Sequence, residues 1–424
     1  MTDHDWISAV LTSARPQAVA ALLRYFRSLD TAEEAFQEAC LRALKAFAKN
    51  GPPRDAAAWL IMVGKNAAID TVRRQSRLQP LPPEELISDL SDQEAAAVEQ
   101  IDSAHYRDDI LRLLFICCHP ELPATQQIAL ALRIVSGLSV KQIARAFLVT
   151  EAAMEQRITR AKSRIGAAEV LFEAPGAVDR AERVAAVAAM IYLVFNEGYT
   201  TNVAEQGARA TFCEEAIRLA RLLLGHYPTE PEIMGLAALL LLQHARAPAR
   251  FDAAGAVVLL EDQDRRLWDR KRIAEGLALV DKAIRHRQPG PYQLQAAIAA
   301  LHARAKRAEE TEWAEIELLY STLERMQPSP VVTLNRAVVV SKVRGPVEAL
   351  GLIEPLASKL GSYFYFHGAR GLFLMQLGRT HEAKVAFDRA IALANTPAEA
   401  AHIRQQLDRL FTDPPVRGRA RPIA

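Results

Sequence analysis

At 424 residues, half of them hydrophobic, the chain is long enough for two or three domains with substantial cores. Its 52 basic and 50 acidic residues leave a formal charge of +2, which excludes a uniformly basic nucleic-acid binder and makes any such surface local. Cys40, Cys117, Cys118 and Cys213 are too sparse for a disulfide framework, and neither a leader peptide nor a membrane span is legible, so a cytoplasmic protein is expected.

Apolar residues recur at three and four spacing almost throughout, Ala, Leu, Arg and Glu dominate, and alternating strands are scarce. The fold class that follows is all-α. The first informative helix is DTAEEAFQEACLRALKAF, residues 30–47. Asp30, Glu33, Glu34, Gln37 and Glu38 form its polar face, and Ala35, Cys40, Leu41 and Leu44 are expected to pack inward. Acidic residues near a helix start suit the macrodipole, and the same face suits a basic partner; both readings stay open.

After the loop NGPPRD (50–55) comes WLIMVGKNAAIDTVRRQSR (59–77), apolar at one end and arginine-rich at the other. On a helix Trp59, Asn66, Asp70, Arg73 and Arg77 share one stripe, with Arg74 beside it, and Leu60, Val63 and Ala67 pack. Arginine for phosphates, an amide for a base edge and a ring for stacking would let that stripe lie along nucleic acid. The alternative is a solvated face with Asp70 pairing to Arg73 and Arg74, beside a core Trp.

LQPLPPEEL (78–86) opens a linker assigned to 79–107. From Leu78 to Asp109 the chain carries nine acidic residues against one Arg, which suits a solvated connector or a tether that mimics nucleic-acid charge. Further on, ICCHPEL (116–122) sets Cys117, Cys118 and His119 side by side. Neighbours on a helix diverge and no second CxxC or HxxxH follows, so no metal site is expected. No P-loop, G-x-S-x-G or strand-borne GxGxxG is legible, and FNEGY (195–199) reads as a helix end; no cofactor and no enzymatic activity are expected.

Residues 130–165 carry helix-turn-helix grammar. Ser139 caps the short helix KQIARAF, a turn follows around Leu148 and Val149, and Thr150 caps a longer helix. On that helix Met154, Ile158, Ala161 and Ile165 form the buried stripe. Opposite lie Ala152, Gln156 and Arg160, flanked by Ala153, Arg157, Thr159 and Arg164. Small residues at its start permit close approach to a major groove, while Gln and Arg read bases or hold phosphates.

EAPGAV (173–178) is a second break. Beyond it, GPVEALGLIEPL (345–356) and GRTHEAKVAFDRAI (378–391) offset Gly345 from Gly378 by 33 and Ala349 from Ala383 by 34, the tetratricopeptide spacing. Ala216 to Leu224 followed by PTEPE suggests a degenerate earlier copy, and 412–424 is expected to be a flexible tail.

Three blocks in this order resemble bacterial sigma factors of the extracytoplasmic-function group: Asp30 to Leu44, Ala58 to Arg74, and Gly137 to Ile165. The resemblance covers about residues 10–168. It implies sigma region 2 (1–78), an acidic linker (79–107), a region 4 helix-turn-helix (108–170) and, beyond these, a TPR-like helical extension (171–411). It further implies that Asp30, Glu33, Glu34, Gln37 and Glu38 dock on the beta-prime clamp helices of core RNA polymerase, with the beta flap as a further contact. Trp59, Asn66, Arg73, Arg74 and Arg77 fall where the minus-10 element is captured, and Ala152, Ala153, Gln156, Arg157, Arg160 and Arg164 where the minus-35 element is read. Glu155 stands where such factors often carry Lys, and Cys40 where they often carry Phe. The expected function is promoter-specific transcription initiation, with an extension that regulates or supports it and offers a surface to a protein partner. The alternative is an independent helix-turn-helix regulator with a repeat interaction domain.

Overall fold

The computed structural model describes residues 3–76, 103–119, 121–147, 149–167, 177–199, 206–252, 255–394 and 397–412. The expected acidic linker up to residue 102, Arg77, Leu148 and the tail from residue 413 lie outside them. Among the described residues the secondary structure is helical, with one isolated bridge between Phe251 and Val257. The chain forms two compact units, 1–198 and 199–424.

The first unit opens with α1 (Asp3–Phe26), α2 (Leu29–Asn50) and α3 (Ala56–Ser76), which pack on one another around Leu22, Phe36, Phe47 and Leu60. Local chemistry sets the boundaries. Ser28 caps α2, its Oγ accepting from the Thr31 amide at 3.3 Å, and Gly51 ends it at φ +75°, a left-handed conformation that favours glycine. Asp55 then starts α3 by accepting from the Ala58 amide at 2.9 Å.

Next come α4 (Ser103–Cys117), α5 (Ala124–Ile134), α6 (Val140–Ala146) and α7 (Glu151–Ala167). α4 packs against α1, and α5, α6 and α7 pack together as the helix-turn-helix. Asp109, counted with the acidic run, sits within α4, buried and paired with Arg24 and Arg112 at 3.3 and 3.4 Å. Cys117 and Cys118 are buried, and burial pushes the Cys118 thiol up to about 12. The sequence break near residue 171 is followed by α8 (Ala177–Tyr199), which up to Gly198 belongs to this first unit; Arg183 lies over the Phe115 ring of α4.

The second unit is built around α10 (Pro231–His244), with α9 (Gln206–His226), α11 (Arg270–Ile284) and α12 (Pro291–Arg304) against it. α10 is apolar all round and buried from Ile233 to Leu242, as a central helix must be. PTEPE leads into it. Glu232, in its first turn, accepts from the Tyr292 and Gln293 amides at 3.0 Å each and so caps α12 from outside. Tyr199, the end of FNEGY, is clamped by Arg250, whose guanidinium lies 3.6 Å over its ring.

Then follow α13 (Trp313–Met326), α14 (Pro330–Val343), α15 (Pro346–Ile353), the single turn α16 (Ala357–Leu360), α17 (Phe364–Gln376), α18 (Thr380–Leu393) and α19 (Pro397–Thr412). α14 to α17, and α15 to α18, each step by 34 residues at their starts, so two helix pairs repeat. Gly345 and Gly378, at φ +95° and +71°, occupy the two intra-pair turns, and Ala349 and Ala383 are both fully buried. The expected 34-residue period is present in the geometry.

Candidate polymerase and nucleic-acid interfaces

Helical periodicity divides α2 differently from expectation. Ala35 is buried and Cys40 half-buried, but Leu41 and Leu44 are 59% and 42% exposed. Asp30, Glu34, Gln37, Leu41 and Leu44 therefore form one exposed stripe, spaced as successive neighbours on a helix, with Glu38 at its margin bonded to Arg42 at 3.0 Å. The inward face of α2 is taken by Ala32, Ala35, Phe36, Ala39, Ala43 and Phe47, and among the described residues the two leucines stay largely uncovered. Their absence from the expected site has a simple cause: a leucine within an amphipathic helix reads as core.

Glu33 corrects the expected polar face in the opposite sense. It is 4% exposed, and three cations compensate its charge: Arg15 at 3.1 Å, Lys162 at 2.7 Å and Arg133 at 3.7 Å. Arg15 stands on α1, Arg133 in α5 and Lys162 on α7. A carboxylate stripped of water needs such partners. Lys162 also reaches Asp30 at 2.6 Å. Burial alone would depress the Lys162 ammonium; the hydrogen bonds to Asp30 and Glu33 outweigh it and hold its pKa above the usual value.

On α3, Leu60 and Ala67 are buried and Val63 half-buried, while Asn66 is exposed as expected. Trp59 is half-buried, with its ring 5.0 Å from that of Phe47, so one side of the indole packs against α2. Arg73 and Arg74 lie in the last turns of α3.

The helix-turn-helix follows its sequence signals closely. Ser139 Oγ accepts from the Gln142 amide at 3.2 Å, and Gln142 Oε1 accepts from the Ser139 amide at 2.8 Å, a reciprocal capping box that starts α6. Thr150 Oγ1 accepts from the Ala153 amide at 3.2 Å and starts α7. Met154, Ile158, Ala161 and Ile165 are all buried. Ala152, Gln156, Arg160 and Arg164 are exposed, with Ala153 and Arg157 half-buried beside them, and Arg164 donates to the Glu121 carbonyl at 3.2 Å. α7 thus offers two small residues at its start and a Gln/Arg surface along its length.

Residues 10–78 match the family described as Sigma-70 region 2, and residues 112–165 match Sigma-70, region 4. The chain carries sigma-70 regions 2 and 4, in that order. Residues 183–284 of this sigma factor match a family of unknown function, DUF6596. The factor is 70% identical, over 98% of both chains, to a protein of Rhizobium meliloti (strain 1021) that is described as uncharacterized. It is 25% identical over 170 residues to a probable ECF RNA polymerase sigma factor, SigI, of Mycobacterium tuberculosis; the match takes in 40% of this chain and 58% of that one. Region 2 corresponds to α1 to α3, region 4 to α4 to α7, and the extension beyond them is helical. Sigma domains imply core RNA polymerase and promoter DNA as partners, and no helix among the described residues is long and apolar enough to cross a membrane.

Proposed function

We propose that this sigma factor directs promoter-specific initiation through three separate surfaces. The exposed α2 stripe docks on core polymerase at the beta-prime clamp helices, with Asp30, Glu34, Gln37 and Glu38 supplying charge and hydrogen bonds and Leu41 and Leu44 supplying apolar contact. Glu33 contributes once its internal cations are released. The second half of α3, with Asn66, Arg73 and Arg74, and Arg77 next in sequence, lies on the minus-10 element, and Trp59 frames that surface. The α7 surface of Ala152, Ala153, Gln156, Arg157, Arg160 and Arg164 enters the major groove at the minus-35 element. The beta flap is the natural second contact for region 4, and the helical extension regulates or supports these steps, its repeated helix pairs being suited to a protein partner.

The observation that carries this reading is the α2 stripe. Two large apolar side chains stand exposed among acids on a helix that has a well-filled inner face. Such a mixed patch is what a protein interface core looks like before its partner arrives. The test is co-elution of the full chain with purified bacterial core RNA polymerase, followed by promoter binding with and without it. A stoichiometric complex that alone binds promoter DNA is expected. Tight duplex binding without polymerase would favour the independent regulator instead.

A further inference from the structure

Half-buried arginines elsewhere in the second unit stand against a carboxylate: Arg218 against Glu215 at 2.5 Å, Arg272 against Glu214 and Asp269 at 2.7 and 3.1 Å, Arg336 against Glu324 at 2.7 Å and Arg370 against Glu354 at 3.0 Å. Three arginines in the connection between α10 and α11 do not. Arg246 Nη2 donates to the Tyr199 hydroxyl at 2.9 Å and to Gln243 Oε1, and Arg250 Nη1 donates to the Tyr199 carbonyl. Arg265 Nη1 donates to the His302 and Ala305 carbonyls at 2.5 and 2.7 Å. All of these acceptors are neutral, and among the described residues no carboxylate pairs with any of the three.

The three share one neighbourhood. Arg246 meets Tyr199 at its hydroxyl and Arg250 lies over its ring. Burial first and the Arg246 charge next lower Arg265, and burial followed by Arg246 and Arg265 lowers the His302 pKa to about 4. Glu309 and Glu310 are the acids that act on Arg265, and Glu310 already accepts from Arg307 and from the Lys306 amide at 2.9 and 3.1 Å. Arg250 also acts on the Tyr365 hydroxyl, which donates to Glu399 at 3.2 Å. Like charges gathered away from bulk water cost stability unless an anion joins them. Each guanidinium offers several N–H donors in a planar fork that matches the paired oxygens of a carboxylate or phosphate. Arg246 uses Nη2 and Arg250 uses Nη1 in the contacts above, and both residues are only half-buried, so their other donors are open to a ligand from solvent. The connection that carries them, 245–269, exceeds the ~12–15 residues of ordinary connections, a length that marks functional loops. It is pinned by the Phe251–Val257 bridge, by the Asp269 amide on the Ala245 carbonyl at 2.9 Å and by Gln263 Nε2 on the Val258 carbonyl at 3.1 Å.

We propose that Arg246 and Arg250, converging on Tyr199 and with Arg265 adjoining, form an oxyanion site that takes a phosphate or carboxylate group. Arg246 and Arg250 bind the oxyanion directly. Arg265, whose donors serve the end of α12, adds charge without contact. The bound group supplies the negative charge that the three guanidiniums lack, and the extension thereby gains a ligand of its own, independent of the sigma reading of the first unit.

The site is tested by thermal unfolding of the full chain in sodium phosphate, in sodium acetate and in sodium chloride at one ionic strength. Phosphate at about ten times its dissociation constant should raise the midpoint of the carboxyl-terminal transition by roughly 3–6 °C over chloride. Arg246→Gln and Arg250→Gln should each remove that rise. Phosphate also stabilises proteins by exclusion from their surface, an effect that would survive in both variants. A rise in phosphate alone assigns the site to phosphate groups, a rise in acetate alone to carboxylates, and a rise in both to either oxyanion. Equal midpoints in the three salts, or a rise that both variants retain, overturn the site. Should the Gln variants fail to fold, as judged by circular dichroism, the unmodified chain carries the test through phenylglyoxal, which modifies accessible arginines. The stabilising anion should slow modification of Arg246 and Arg250 severalfold and leave the exposed Arg285 and Arg287 unaffected. Equal modification of all four with and without the anion overturns the site. Core polymerase plays no part in either readout, so failure here leaves the sigma reading standing.

Discussion

Arg15 Nε donates to the carbonyl of Ile134 at 2.9 Å, a bond between residues 119 positions apart. The same guanidinium bonds Glu33, so one side chain joins α1, α2 and the end of α5. Arg15→Ala leaves Glu33 buried with one cation fewer and orphans the Ile134 carbonyl. A loss of about 2–4 kcal/mol is expected, since breaking one member of a buried charge cluster costs that order. The urea midpoint of the amino-terminal unfolding transition checks it; a shift within error would show that Lys162 and Arg133 suffice for Glu33.

Glycines in the extension separate packing from backbone entropy. A Cβ on Gly371 would meet the Phe387 ring at 2.5 Å, whereas one on Gly351 meets nothing within 4 Å. Gly371→Ala should destabilise the carboxyl-terminal unit by about 1–3 kcal/mol through overpacking. Gly351→Ala, at a helical position in α15, should stabilise it by about 0.5–1 kcal/mol. Thermal unfolding of the two variants side by side should move in opposite directions.

His302 gives the second unit a pH dependence. Burial, reinforced by the Arg246 and Arg265 guanidinium groups, lowers its pKa from 6.5 to about 4, while its ring stands edge-on to Trp313 at 5.3 Å. Above pH 6.5 the ring is neutral in folded and unfolded chains alike and contributes nothing to the difference. Between pH 6.5 and about 4 the unfolded chain takes the proton and the folded one does not, so stability falls as pH falls. A contribution on the order of 2 kcal/mol is expected over that window. His302→Gln should flatten the profile there, and an unchanged slope would assign it to other groups.

At the α2 stripe, Leu41→Glu removes an exposed apolar side chain and buries nothing new. Stability should stay within about 0.5 kcal/mol of the unmodified chain. Affinity for core polymerase should fall by tenfold or more, the loss typical of a central apolar anchor. Equal affinity in a titration calorimeter would remove Leu41 from the docking surface.

Local signals were legible residue by residue. Ser139 with Gln142, Thr150, and the Met154 to Ile165 stripe follow from capping chemistry and the 3.6-residue period, both set by residues within a single helix and its cap. The 33- and 34-residue offsets of Gly345 and Ala349 likewise reappear as turns and buried contacts. What periodicity could not supply was the partner of each face. Glu33 reads as one more acid in a polar stripe because Lys162, which buries it, lies 129 positions away. Leu41 and Leu44 read as core because a sequence shows that a residue is apolar without showing whether anything covers it. Trp59 was open to both readings, and its contact with Phe47 places the ring at the boundary between bundle and surface.

The 34-residue step between the α14/α15 and α17/α18 pairs also bears on how the extension can change. The first pair packs on α13 before it as well as on the pair after it, so a further hairpin of the same kind, inserted between the glycine joints, would meet like helices on both sides. Length then becomes an adjustable property of the extension, and its reach can be retuned in units of one hairpin while the half that carries sigma regions 2 and 4 stays fixed.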